Sequence, residues 1–420
     1  MSETATLQHR VIRMLIVAQI LGGIGLGATV SVGALLAADV SGSPAWSGMA
    51  ATMSTLGAAL LAVPLARAAA ARGRRIALAG GALLGAIGAT AATGAASIGS
   101  FPLLLVALAL AGASSATNLQ ARFAATDLAQ PSHRARDLSV VVWSTTAGAV
   151  LGPNLIEPGE AIGSLIGLPT LTGPFLFTVA AQLAAMAVYF LGLRPDPLLT
   201  ATGNGPAPTG IPPRKGLATL RVNSLARYSV VAVALSHATM VAMMSMTPVH
   251  LYGHGATLAI VGFTISLHIA GMYALSPVFG ALADRFGRLE VILIGQGLLF
   301  ASLVVAWLGS ASDALVGLSL ILLGLGWSAA TIAASTLVTE SVPVDDRPGV
   351  QGVSDLLMNA TAATGGALAG PVLTLVGYSG LGIACMLLVA VVSAWTVQRI
   401  LAGRAQDSRL LPGSSTRSQR

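Results

Sequence analysis

Charge, cysteine and aromatic side chains are all scarce in this 420-residue chain. Charged residues make up 9% and aromatics 5%, against 55% hydrophobic residues and a mean hydropathy of +0.81. A soluble domain carries about 25% charged residues, so a water-facing globular surface is excluded. The one cysteine, Cys385, excludes an internal disulfide and any cysteine-cluster metal site. No acidic side chain sits at the centre of an apolar run: Glu157, Glu340 and Asp355 come nearest and fall near run ends. Period-2 alternation is absent as well, and since lipid admits only helices or closed barrels, helices remain. No nucleophile–base constellation or phosphate loop points to an enzyme.

What is present is a succession of apolar runs of about 18 residues or more, each long enough to cross a bilayer as a helix. Twelve spans are expected, at 11–38, 47–66, 76–98, 101–124, 138–156, 171–193, 227–252, 258–282, 289–309, 313–338, 351–376 and 379–399. The first run is too long for a cleavable signal and lacks a cleavage site, so it is read as the first span. The 22 Lys and Arg residues fall on alternate connections only, from Arg10 and Arg13 through Arg72, Arg134, Lys215, Arg288 and Arg347 to Arg404. The other connections, from Asp39–Trp46 to Gly377–Gly380, have none. By the positive-inside rule both termini and the central linker are cytoplasmic. The net charge of +7 is therefore an orientation signal, and nucleic acid is not an expected partner.

Residues 194–226, rich in Pro, Gly and Thr, divide the chain into an N-terminal bundle (1–193) and a C-terminal bundle (227–400), with a tail at 401–420. The halves repeat one another. Gly148-x-x-x-Gly152-Pro153 recurs as Gly366-x-x-x-Gly370-Pro371, Gly112–Thr117 as Gly326–Thr331, and Arg72-Gly73-Arg74 as Phe286-Gly287-Arg288, at offsets of 214–218. The expected fold is an all-α integral membrane protein of twelve helices in two pseudo-symmetric six-helix bundles. Parallel halves of this kind suit alternating access.

Soft and nitrogen ligands crowd the stretch from Arg227 to Arg288, which holds five of twelve methionines and four of six histidines. Met240 and Met244 are four apart on span 7, and His268 and Met272 are four apart on span 8, so each pair shares a helix face. At about 1.5 Å per residue the two pairs sit at similar depth near the bilayer middle. His237 extends the first stripe. Met243, Met246, His250 and His254 form a second that climbs to the outer mouth. Pro248 cannot donate to the Met244 carbonyl, so a kink is expected there. Thioether and imidazole without carboxylate or thiolate suit Cu(I) best, and intramembrane histidines are functional by default. Methionine also fills gaps in ordinary cores; that reading stands for Met243 and for the Met49/Met53 pair.

The run Gly280-Ala-Leu-Ala-Asp284-Arg285-Phe-Gly287-Arg288 resembles the cytoplasmic loop motif of the major facilitator superfamily, a resemblance covering residues 10–400. It implies a gating network of Asp284, Arg285 and Arg288. In the first half Ala70 and Ala71 replace the corresponding Asp and Arg, so the charged latch is expected in the second half alone. The span-5 Gly148/Gly152/Pro153 pattern is similar to the family's antiporter signature, but Ile156-Glu157 stands where that signature ends in Gly-Gly. Small residues at this spacing let helices approach closely, so these residues and Gly366, Gly370 and Pro371 read as packing. Leu108 stands where many proton-coupled exporters carry arginine.

The two four-residue spacings on spans 7 and 8 resemble the motifs of CcoA-type bacterial copper importers. That resemblance implies Met240, Met244, His268 and Met272 as copper ligands, and inward carriage of copper as cargo across the bacterial inner membrane to supply cytochrome oxidase assembly. By their place on the stripes and rim, His237, Met246, His250 and His254 are read as a relay towards that site; a monomer without a resident cofactor is expected. The alternatives are a small organic solute, riboflavin-like or a drug, or a copper-binding receptor that transports nothing.

Overall fold

A computed structural model describes residues 3–125, 127–129, 134–203, 213–343 and 347–410. Parts of the expected linker (204–212) and tail (411–420) lie outside the described residues. Ten helices among those described are long and apolar enough to cross a membrane. The last of these, Gly352–Gly403, comprises spans 11 and 12, separated at Gly377, whose φ of 71° is not helical. Span 5 adds a further crossing: helix Arg134–Leu151, a 3-10 turn at Gly152–Leu155 and helix Ile156–Leu165. Proline 153 has no N–H to continue the α-helical ladder, which accounts for the tightened turn. The expected twelve spans are thus accommodated, in two halves of six. Span 4 divides at Gly112 (Phe101–Ala111, Ala113–Ala124), and span 8 divides after Tyr273 (Leu258–Tyr273, Ser276–Phe286). Span 7, Ser224–Gly253, passes Pro248 as one continuous helix. Thr247 Oγ1 donates to the Met243 carbonyl there.

The internal duplication can be checked contact by contact. Ser54 Oγ donates to the Leu108 carbonyl and His268 Nδ1 bonds the Leu320 carbonyl, joining span 2 to span 4 and span 8 to span 10. A Cβ on Gly57 would meet the Ala109 carbonyl, and one on Gly271 the Ile321 carbonyl. Gly152 abuts the Ile24 carbonyl on span 1, and Gly365 abuts the Ala238 carbonyl on span 7. In every pair the second-half residues follow the first-half residues by 212–214 positions. This register revises one reading of the sequence. Gly152 corresponds to Gly365 and Pro153 to Gly366, so the two Gly-x-x-x-Gly-Pro runs match in letters but not in position. Gly148 and Gly152 face span 1, whereas Gly366 and Gly370 face Gly48 and Ala45 of the other half.

The arginine-free ends, expected to be extracellular, are termed outer. There the halves close on one another through two equivalent seams. At the first, Gly48 abuts the Gly366 carbonyl and Thr52 Oγ1 donates to the Ala363 carbonyl at 2.8 Å. At the second, Gly262 abuts the Pro153 carbonyl and Ser266 Oγ donates to the Val150 carbonyl at 2.7 Å. Asn154 Nδ2 adds a bond to Ser266 Oγ at 2.7 Å. Glycine at positions 48 and 262 is what permits backbone-to-backbone approach. Gly48→Leu is therefore expected to part the outer ends. A cysteine placed at Ser54 should then react faster with a membrane-impermeant maleimide added from outside; an unchanged rate would show that the seam tolerates the bulk.

Candidate functional site

Span 7 begins at Asn223, whose side chain accepts from the backbone N–H groups of Leu225 and Ala226, a standard N-cap. It is buried on most of its circumference, as befits a helix at the centre of its half. Met240, Met243, Met246 and Met272 belong to one continuous apolar cluster with Leu299, Leu303 and Trp327, and Met244 and Tyr273 pack against it. Met244 also packs against a second cluster, Ala149, Ile265, Ile269 and Leu320, which reaches into the other half. Three of the four expected ligands thus share one packed region of spans 7 and 8.

The fourth, His268, is fully buried at 0% exposure. Its Nδ1–H donates to the Leu320 carbonyl at 2.7 Å, which fixes the tautomer and leaves Nε2 as a lone-pair nitrogen. Nε2 has no hydrogen-bond partner among the described residues. Leaving such an atom unmet in an apolar interior costs about 1–3 kcal/mol. A histidine that gives one N–H to a backbone carbonyl and offers its other nitrogen is arranged as metal-binding histidines are.

A cavity of 170 Å³ lies between the halves, walled by spans 1, 2, 4, 7 and 11. Its lining is small and uncharged, with Thr29, Ser54, Thr55, Ser115, Ser245 and Asn359 as the polar groups. Of the four expected ligands, Met244 lines it directly. The repeat register relates the other three to it. Met240, Met244, His268 and Met272 lie 214 residues beyond Leu26, Val30, Ser54 and Ala58, and all four of those line the cavity. The Met/His set is the second half's version of a cavity wall.

The relay residues are distributed differently. His237 Nδ1 accepts the Trp327 indole N–H at 2.9 Å, and Trp327 in turn meets Tyr273 edge-on at 6.0 Å. Met246 Sδ accepts from Ser47 Oγ at 3.4 Å, across the outer seam. His250 donates from Nε2 to the Ser310 carbonyl and stacks on Tyr378 at 4.2 Å. His254, exposed, donates from Nδ1 to the His250 carbonyl, and its ring lies 4.2 Å from that of His250. Both line an open groove formed wholly by the second half, beside the seam rather than within it.

At the basic end, Gly287 has φ 106° and Gly73 φ 87°, left-handed conformations that favour glycine and begin spans 9 and 3. Arg288 pairs with Asp284 at 2.8 Å and with Glu340, at the end of span 10, at 2.8 Å. Arg285 lies over the Phe286 ring, and a side chain at Gly280 would meet open space. The first half carries a comparable ion pair, although Ala70 and Ala71 stand where the motif has Asp and Arg. Arg74 pairs with Asp127 at 2.9 Å, at the end of span 4. Burial pushes the Asp127 carboxyl up from its ordinary value, against the pull of Arg74. The pairings of Asp127 and Glu340 escaped the sequence reading because each lies over fifty residues from its arginine, although each follows span 4 or span 10 at matching register.

Two helical bundles around a cavity, with ten helices among the described residues long and apolar enough to cross a membrane, are the architecture of a polytopic membrane transporter. The profile of the Major Facilitator Superfamily matches residues 15–267 and 229–412, and the chain belongs to that family. It is 39% identical over 404 residues to the uncharacterized MFS-type transporter YddS of Bacillus subtilis, covering 94% of this chain and 92% of that one. It is 30% identical over 398 residues to the riboflavin transporter RfnT of Brucella anthropi, covering 94% and 97%. Among solved structures it resembles a bacterial homologue of the human lysosomal transporter Spinster (TM-score 0.69, 15% identity, 94% and 97% covered). It also resembles the xylose transporter XylE of E. coli (TM-score 0.68, 12% identity, 99% and 100% covered). At these identities the structural likeness concerns the fold alone.

His237→Phe should leave the buried Trp327 indole N–H without an acceptor and destabilise the second half by about 1–3 kcal/mol. Thermal unfolding in detergent, followed by tryptophan fluorescence, measures it; an unchanged midpoint would mean that the bond contributes nothing.

Proposed function

We propose that this transporter carries copper inward across the bacterial cytoplasmic membrane, with Met240, Met244, His268 and Met272 as the ligands that hold the ion in passage. The observation that carries the reading is His268: a fully buried imidazole, its tautomer fixed by Leu320 and its Nε2 unmatched, one helical turn before Met272 of the methionine-bearing cluster. Soft thioethers with one imidazole favour Cu(I) over the harder divalent ions. Among the described residues no group of three or more His, Cys, Asp or Glu side chains is placed to hold a metal. Supply of copper to cytochrome oxidase assembly follows from the same reading.

A second reading has its own support. The 30% identity to a riboflavin transporter and the hydroxyl-bearing first-half wall of the cavity suit a small organic solute. On that view the methionines line a pocket that widens in other states of the cycle.

Radioactive copper uptake in cells distinguishes the two. Wild-type cells are expected to accumulate copper above an empty-vector control. Met244→Ala and His268→Ala should each lower that uptake about ten-fold or more at equal protein abundance. Uptake untouched by both substitutions, or absent in the wild type while riboflavin uptake rises, would give the cavity to an organic solute.

A further inference from the structure

The outer groove of the second half holds chemistry that the cavity does not use. Span 7 ends there in His250 and His254, one helical turn apart and so on one face. Their rings lie 4.2 Å from one another. A backbone carbonyl only accepts, so the nitrogen bonded to it carries the proton. His250 Nε2 is bonded in this way to the Ser310 carbonyl at 2.7 Å, and His254 Nδ1 to the His250 carbonyl at 2.8 Å. Both tautomers are thereby set, and each ring keeps one lone-pair nitrogen: Nδ1 of His250 and Nε2 of His254.

The walls hold the inner ring in place. Tyr378 lies against His250 with 8° between the ring planes, and its hydroxyl is bonded to Thr247 Oγ1 at 2.9 Å. Ser379 Oγ donates to Ser310 Oγ at 2.9 Å, tying the connection after span 11 to the one after span 9. Every wall of the groove comes from the second half, so its shape is kept when one half rocks against the other. Duplication does not account for the pair, because Leu36 and Val40 stand 214 residues earlier.

Imidazoles whose N–H groups are spent on carbonyls are oriented as metal-binding histidines are. Rings this close allow one ion to meet a nitrogen of each at the usual Zn–N distance of about 2.0–2.1 Å. No methionine or cysteine lines the groove, so the donors are borderline rather than soft and suit Zn2+, Ni2+ or Cu2+. The local charge agrees. Asp313, at the start of span 10, lies within electrostatic reach of His250, and no Lys or Arg falls on an outer connection.

We propose that His250 and His254 form a binding site for a divalent transition-metal ion on the outer face, with water completing its coordination. His254 is exposed, so the ion enters straight from the external water. The site lies six residues beyond Met244 on span 7, about 9 Å along the helix, and is separate from the Met/His set. It holds whether the cargo is copper or an organic solute.

Calorimetric titration of Zn2+ into the purified full chain, carrying a tag without histidine, tests the site. One Zn2+ per chain should bind with micromolar affinity. His254→Gln and His250→Gln should each weaken binding about ten-fold or more, and Met244→Ala should bind zinc as the wild type does. His254→Gln changes an exposed side chain and carries the test should His250→Gln fail to accumulate. No binding by the wild type at millimolar zinc, or binding undiminished by His254→Gln, overturns the site. So does an equal loss in Met244→Ala, which would merge the groove with the Met/His set. Because no copper enters the assay, this site and the copper reading can fail independently.

Discussion

A polar atom inside a membrane helix bundle has no water to turn to, and the backbone carbonyls of neighbouring helices are its commonest remaining partners. That constraint recurs throughout this chain. Ser54, Thr52 and Ser266 each donate a hydroxyl proton to a carbonyl on another span, and His268 spends one ring nitrogen in the same way. These bonds fix how each pair of helices is rotated about its axis. They also decide which side chains face the cavity and which face the core. The free nitrogen of His268 is one of several buried polar atoms in the second half left without a hydrogen-bond partner, beside the Thr239, Ser328 and Thr331 hydroxyls and the Gln296 amide oxygen.

The duplication gives the two halves one set of rotations and two sets of side chains. Leu26, Val30, Ser54 and Ala58 on one side answer Met240, Met244, His268 and Met272 on the other. The first set is ordinary cavity lining; the second adds three sulfurs and an imidazole at the same places. The halves are thus differentiated by side-chain identity on a common frame, with the sulfurs and the imidazole in the second half. The contacts between the halves divide similarly. The outer seams are duplicated, and the inner ion pair, Arg122 with Asp355, is not.

Much of this was legible in the sequence because membrane physics writes it in plain terms. Span length, the alternation of arginine-bearing loops and the four-residue spacings on spans 7 and 8 survive folding unchanged. What escaped was whatever depends on rotation about a helix axis. The Gly-x-x-x-Gly-Pro runs agree in letters, yet Gly366 faces the other half while Gly148 faces its own. A glycine pattern records close approach but not the direction of approach. Pro248, where a kink was expected, sits inside an uninterrupted helix. Trp327 as the partner of His237, and Asp127 and Glu340 as partners of the loop arginines, join residues tens of positions apart, and no local spacing encodes them.

The two ends of the molecule are closed by different kinds of force. The outer seams rest on glycine-mediated backbone contact and hydroxyl-to-carbonyl bonds, short-range interactions that dissolved ions barely affect. The inner contact, Arg122 with Asp355, joins two partly exposed side chains 3.6 Å apart, well within the Debye length of about 8 Å at physiological ionic strength, so dissolved salt weakens it only modestly. The two ends of the molecule therefore answer to different perturbations: bulk at a glycine parts one, and loss of a charge parts the other.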